Sequence, residues 1–209
     1  MAENESTFYF VGGQLSLDFI NTQVGLSDEP VDFLRGFADL VSWLQQAGAL
    51  DGAQAKAALA SWGQRAEAKQ VLGQARKLRN VLRAAAERLS AGKTPGREAL
   101  DEINRVLAQE TGYNQLVRGA DGYEFSFQPV RREAVHLLTP IAMSAAELLG
   151  RSEPLRIRRC GNPVCSLYYY DTSKNRTRRW CSMAVCGNRM KAASFYQRSR
   201  KKQRRKLKA

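Results

Sequence analysis

Apolar positions recur along the chain with two different periods. Helical spacing is clear at Phe33, Leu34, Phe37, Leu40, Val41 and Leu44, which predicts a helix within residues 31–47, with Gly48 as its C-terminal cap. A shorter helix fits Asp51–Trp62. A long one fits Arg65–Leu89, with Val71, Leu72, Leu78, Val81, Leu82, Ala85 and Leu89 on its apolar side. Thr94-Pro95 reads as an N-cap and first turn, opening a helix through Leu100, Ile103, Val106 and Leu107. Residues 130–149 are again helical, with Pro140 forcing a kink or a break after Leu138. Period two is confined to shorter stretches. Residues 7–22 open with an aromatic, strand-like run, turn at Gly12-Gly13, and resume apolar at Leu15, Leu17, Phe19 and Ile20. Tyr113–Arg118 and Tyr123–Gln128 flank Gly119-Ala120-Asp121-Gly122, the composition of a β-hairpin turn.

These elements predict an α+β protein. A mostly helical N-terminal domain with a small β-hairpin or sheet spans residues 1–150, and a smaller C-terminal unit spans 151–209, with Gly150–Pro154 as the boundary. No apolar run approaches the roughly 18 residues needed to span a bilayer. The acidic, polar N-terminus adds no leader, so a cytoplasmic protein without a membrane partner is expected.

Charge sharpens the division. The overall +13 is unevenly placed: residues 1–150 hold 15 Lys and Arg against 18 Asp and Glu, a net of −3, whereas residues 151–209 hold 18 against 2, a net of +16. Clustered cations gain affinity for a phosphate backbone by releasing its counterions, so a polyanionic partner is expected for the C-terminal unit. The final stretch from Arg198 to Lys206 equally fits a solvated tail that is disordered when free.

All four cysteines fall within 27 residues, as Cys160 with Cys165 and Cys181 with Cys186, and each pair has four residues between its members. Two such pairs on two turns supply the four soft ligands of a tetrahedral structural zinc site. The competing readings are two disulfides, a redox dithiol or four ordinary buried thiols. Disulfides suit exported chains and redox dithiols usually have two intervening residues, so one structural Zn2+ per chain is favoured. The unit is also poor in large aliphatics and needs a metal to fold. Both Cys160 and Cys186 are followed by Gly-Asn; the glycines are expected to supply unusual backbone angles and the asparagines to hydrogen-bond the thiolate shell. Between the pairs lie a Leu167–Tyr170 strand, whose tyrosines are expected to pack, and a basic loop. Met190, Ala193, Phe195 and Tyr196 suggest an amphipathic helix after Cys186.

These residues resemble a known family. Cys160-Gly161-Asn162-Pro163-Val164-Cys165, Tyr170-Asp171-Thr172-Ser173, Arg178-Arg179-Trp180-Cys181-Ser182-Met183 and Cys186-Gly187-Asn188-Arg189-Met190-Lys191 closely resemble the CGNR zinc finger. Gly12-Gly13-Gln14-Leu15-Ser16-Leu17-Asp18-Phe19-Ile20-Asn21-Thr22 resembles the start of the ABATE-type domain that commonly precedes this finger in bacterial stress-induced transcription regulators. The resemblance implies a four-cysteine, treble-clef-like finger of β-hairpin and helix that binds DNA. It also implies an N-terminal domain that senses a small molecule or mediates assembly.

The leading expectation is therefore a zinc-dependent DNA-binding transcription regulator, not an enzyme. Cys160, Cys165, Cys181 and Cys186 are the metal ligands, and Arg176, Arg178, Arg179, Arg189, Lys191 and Arg198 the phosphate or base contacts; changing Arg178 and Arg179 to Ala is expected to weaken DNA binding and leave the fold intact. An RNA- or ribosome-binding zinc protein is the alternative. Asp18, Asn21 and Thr22 are candidates for an effector pocket, against a plainer role in capping local turns. A small-molecule effector and a homodimer are the further candidate partners.

Overall fold

The computed structural model describes residues 8–25, 30–119, 122–150, 153 and 156–206. The apolar period of the long central segment produces α4 (Ala66–Ser90), against which the N-terminal elements pack. Those elements are α1 (Leu15–Ile20), α2 (Phe37–Gln46), α3 (Gly52–Trp62), α5 (Arg97–Leu107) and a 3-10 turn at Ala134–Leu138, while α6 (Thr139–Gly150) packs on α1, α5 and that turn. They bury one core in which Phe19, Ile20, Leu34, Leu40, Trp43, Leu44, Leu78, Leu138 and Ile141 have no exposed surface. The break at Pro140 falls where the chain passes from the 3-10 turn into α6, and proline sits in the first turn of that helix, where its missing N–H costs nothing.

Strands contribute three separate two-stranded antiparallel sheets. The first pairs β1 (Gln23–Val24) with β2 (Val31–Asp32). The second is the expected hairpin, β3 (Gly112–Gly119) with β4 (Gly122–Pro129); its tip residues Ala120 and Asp121 lie outside the described residues. The third pairs β5 (Ile157–Arg159) with β6 (Tyr168–Tyr170). The expected boundary around Gly150–Pro154 falls mostly outside the described residues as well.

Several expectations are corrected. Phe8–Val11, expected to be strand-like, pairs with no strand among the described residues, and Leu15–Ile20, apolar but given no element, forms α1, burying Ser16, Leu17, Phe19 and Ile20. The helix expected within 31–47 starts only at Phe37. Val31 and Asp32 are held in a strand, and the Asp39 carboxylate accepts from the Gly36 N–H at 2.7 Å and sets the start there. Thr94 and Pro95 precede α5 without starting it: Arg88 of α4 donates to the Thr94 carbonyl at 2.7 Å, and Gly96 becomes the N-cap. The helix after Cys186 does form, as α7 (Asn188–Lys206), but it is not amphipathic in use. Every residue from Lys191 to Arg200 is exposed, Phe195 and Tyr196 included.

Candidate metal centre and nucleic-acid interface

The finger is assembled against the helical unit at several points. Ile157 of β5 and Tyr168 of β6 belong to the main core, while Val24 of β1 joins the smaller core around the cysteines, with Leu167 and Tyr169. Asn21, fully buried, reads the backbone of Tyr168 in both directions: its Nδ2 donates to the Tyr168 carbonyl and its Oδ1 accepts from the Tyr168 N–H, each at 2.9 Å. The Tyr170 N–H donates to the Gly12 carbonyl at 2.7 Å, and the Gly25 N–H to Ser166 Oγ at 2.7 Å. Arg83 of α4 donates to the carbonyls of Ile20, Gln23 and Ser166. Four chain segments thereby fix the small sheet.

On this base stand two ligand-bearing turns. The Cys165 N–H closes the first by donating to the Asn162 carbonyl at 2.9 Å. The second runs from Ser182 through a π-turn at Met183–Gly187, where the Cys186 N–H donates to the Ser182 carbonyl at 3.0 Å. Cys160, Cys165, Cys181 and Cys186 are all buried, and their sulfurs lie within 4.8 Å of one another. The Cys165 and Cys181 sulfurs lie 3.9 Å apart. Sulfurs bound at about 2.3 Å around tetrahedral zinc lie about 3.8 Å apart, so the cluster has the dimensions of a zinc site. N–H groups already point at the sulfurs: Asn162 Nδ2 donates to Cys186 Sγ at 3.3 Å and the Cys181 N–H to Cys160 Sγ at 3.4 Å. The Cys181 hydrogen bond, chiefly, draws the Cys165 thiol down to about 5, and the same contact pushes Cys181 up. A buried set of four thiolates repels itself, and a divalent cation resolves that repulsion.

The two Gly-Asn repeats prove to matter through space and not through backbone angle. The described glycines with positive φ are Gly13, Gly48, Gly92 and Gly122, so neither Gly161 nor Gly187 needs a left-handed conformation. A Cβ on Gly161 would meet the Arg179 carbonyl at 2.9 Å and the Trp180 ring at 3.2 Å. One on Gly187 would meet the Met183 sulfur at 2.5 Å and the other end of the same indole at 3.2 Å. Trp180 thus closes over both turns at once.

The six basic positions divide. Arg178 is half-buried and spent on the fold. Its guanidinium donates to the carbonyls of Val11, Tyr170, Trp180 and Cys181 and lies 4.2 Å from the centre of the Tyr169 ring. The expectation that it could be removed without harm to the fold is therefore corrected. Arg176 is exposed, has a positive φ of 53° and pairs with Glu153 at 2.6 Å. Arg179 is exposed over the Trp180 ring, and Arg189, Lys191 and Arg198 are exposed on α7.

Asp18, Asn21 and Thr22 spend their polar atoms on the protein itself. Besides the Asn21 clamp, Thr22 Oγ1 donates to the Phe19 carbonyl at 2.7 Å and accepts from Arg79 at 3.1 Å. Asp18 accepts from the Gly12 N–H at 2.7 Å, and burial, only partly offset by that bond and by Arg178, pushes its carboxyl up to about 6. The plainer turn-capping role fits Asp18, whereas Asn21 is spent on the distant Tyr168 backbone. Two cavities, of about 510 and 690 Å3, lie instead at the foot of the β3–β4 hairpin, the first lined by Trp62, His136 and Pro140 among others.

Scanned against protein-family models, residues 13–152 match ABATE, described as a putative stress-induced transcription regulator. The chain belongs to the ABATE family. Residues 156–199 match the CGNR zinc finger, so this ABATE protein carries the finger directly after its helical domain. No curated protein matches the chain. The four buried cysteines of the CGNR finger fit one structural Zn2+, a closed site whose role is to hold the two turns together. No described helix of this ABATE protein is long and apolar enough to cross a membrane.

Of the residues that dock the finger, sequence reasoning singled out Asn21 and Arg178 for other roles and missed Arg83. A signal for it was present. Arg79 and Arg83 fall in phase with the apolar stripe of α4, where a charge is out of place unless it has buried partners. Arg79 accordingly binds Asp32 at 2.7 Å; burial opposes ionisation of Asp32, but Arg79 outweighs it and holds the carboxyl below its usual range.

Proposed function

We propose that this ABATE protein is a DNA-binding transcription regulator whose finger presents α7 to the duplex, with Cys160, Cys165, Cys181 and Cys186 as ligands of a structural zinc. The observation that carries this reading is α7 itself. It has 19 residues, about 28 Å of helix at 1.5 Å per residue, with nine Lys and Arg and no acidic residue, and it leaves the second cysteine turn without a core to pack on. A helix of that length and charge suits the major groove, where arginine pairs with guanine edges or phosphate. Arg179, Arg189, Lys191 and Arg198 are the contacts, Arg176 an outer one paired with Glu153, and Arg178 the residue that positions the loop.

The test is duplex binding across a salt series with Arg189→Ala/Lys191→Ala. The expected result is weaker binding, with the log–log salt slope reduced by about 2, zinc content and folding unchanged. Arg178→Ala is expected instead to destabilise the finger. Equal affinity of variant and parent for every duplex would overturn the reading, and tighter binding to structured or single-stranded RNA at matched salt would give the interface to RNA. The helical domain regulates in this reading. A small molecule would enter the cavity beside Trp62 and not the Asp18–Thr22 segment; unchanged Trp62 fluorescence throughout an effector screen counts against it.

A further inference from the structure

The hairpin of β3 and β4 stands apart from the rest of the chain. Its eight paired positions make a ribbon about 27 Å long that packs substantially on no other described element, and all its described residues are exposed or half-exposed. A lone two-stranded ribbon is marginally stable in water. This one also has a strongly apolar face. The register sets Leu116 opposite Phe125, Asn114 opposite Phe127 and Arg118 opposite Tyr123, and period-two alternation puts those six side chains on one side. Val117, Glu124, Gln115, Ser126, Tyr113 and Gln128 fall on the other. On the first side Leu116 is 64%, Tyr123 77%, Phe125 76% and Phe127 43% exposed.

We propose that this face is the dimer interface, and that its occupant is the same face of a second copy of the chain. Three observations select a second copy. The first is area. Large side chains offer roughly 150–250 Å2 each when fully exposed, so these four present on the order of 500 Å2 per copy. Two copies facing one another remove about 1,000 Å2 from water, the size at which specific interfaces begin to hold. The second is self-complementarity. A two-fold axis through the central Leu116–Phe125 pair lays that pair on its own copy and the tip of each ribbon on the base of the other, so Tyr123 meets Phe127. The third is charge. Arg118 is the only charged side chain among the described residues of the face, and the antiparallel arrangement keeps the two copies of Arg118 at opposite ends, each beside the partner ribbon's Phe127 and Asn114. A basic partner would find no counter-charge on these side chains, and an acidic one only Arg118 at the edge of an apolar surface.

The interface does not rest on the DNA-binding reading, and its test uses no nucleic acid. Sedimentation equilibrium of the zinc-loaded full chain is expected to show a monomer–dimer equilibrium. Phe125→Asp, which sets a carboxylate against the apolar centre, is expected to raise the dissociation constant roughly 100-fold or more, with zinc content and the circular dichroism of the helices unchanged. Ser126→Asp, its neighbour on the opposite face, is expected to leave the equilibrium where it was. A monomer at every concentration, a dimer indifferent to Phe125→Asp, or equal weakening by Ser126→Asp would each overturn the assignment. The control also separates loss of the face from general unfolding of the ribbon.

Discussion

The two longest helices of the molecule are held in opposite ways. α4 buries ten of its 25 residues, including Leu78 with no exposed surface, and takes its stability from the elements packed around it. α7 exposes every residue from Lys191 to Arg200 and, over its described side chains, is fastened only at its first turn, where the π-turn delivers Cys186 to the thiol cluster. Its run of like charges also repels itself. A helix with a core is a structural part. One without a core, hung from a metal site and carrying only positive charge, is shaped for a partner.

That contrast can be broken experimentally. The largest effect is expected from removing the metal centre. Cys181→Ser, or chelation, should abolish stoichiometric zinc and unfold the finger, since structural zinc sites contribute about 10 kcal/mol or more to folding. The far-UV signal should fall by about the content of α7 while α4 persists; retention of the full signal without zinc would remove the metal from the account. Next comes a pair of alanines. Leu78→Ala should cost about 2–5 kcal/mol in urea unfolding by leaving a cavity in the core. Phe195→Ala on α7 should stay within about 0.5 kcal/mol. Comparable losses would mean that α7 packs after all.

The smallest and most condition-dependent effect concerns Asp18, where α1 meets the finger. Its carboxyl titrates at about 6, above its ordinary 3.8, because burial disfavours the charge. The folded state therefore holds the proton more tightly than the unfolded chain. This contribution to stability is fully present below the unfolded pKa and is lost as pH rises through 6, amounting to about 3 kcal/mol at most. Asp18→Asn should accordingly raise the melting temperature relative to the parent at pH 7.5, with a difference that shrinks toward pH 5. Thiol protonation is common to both chains and cancels. A variant less stable than the parent at pH 7.5 would show that the Arg178 attraction outweighs the burial.

Legibility in the sequence followed the distance over which each interaction acts. The four cysteines, the helices over 51–62 and 65–89, the break at Pro140 and the hairpin were readable because each is encoded by neighbours in the chain. The helix at Leu15–Ile20 was not legible, because Leu15, Leu17 and Phe19 alternate while the burial of Ser16 and Ile20 depends on α4 and α6. Asn21 and Tyr168 are 147 residues apart, and their paired hydrogen bonds leave no local pattern. Arg178 looked like the other loop arginines. Only the fold brings four carbonyls and the Tyr169 ring to it. The twin Gly-Asn repeats matter for a different reason, since the demand on Gly161 and Gly187 comes from close neighbours, the Arg179 carbonyl and the Met183 sulfur, with the Trp180 ring next to both.

The sharing of apolar side chains between the finger and the helical domain bears on how such proteins can be rearranged. Ile157 and Tyr168 lie in the core of the preceding domain, while Val24 lies in that of the finger. Severing the chain near residue 155 would leave each fragment with a greasy scar where the other had been, and a graft onto an unrelated scaffold would lack the Asn21 that grips Tyr168. The two pieces therefore share packing that an exchange of one alone would break, and under the proposed reading a new binding specificity comes more easily by rewriting the exposed surface of α7 than by swapping fingers.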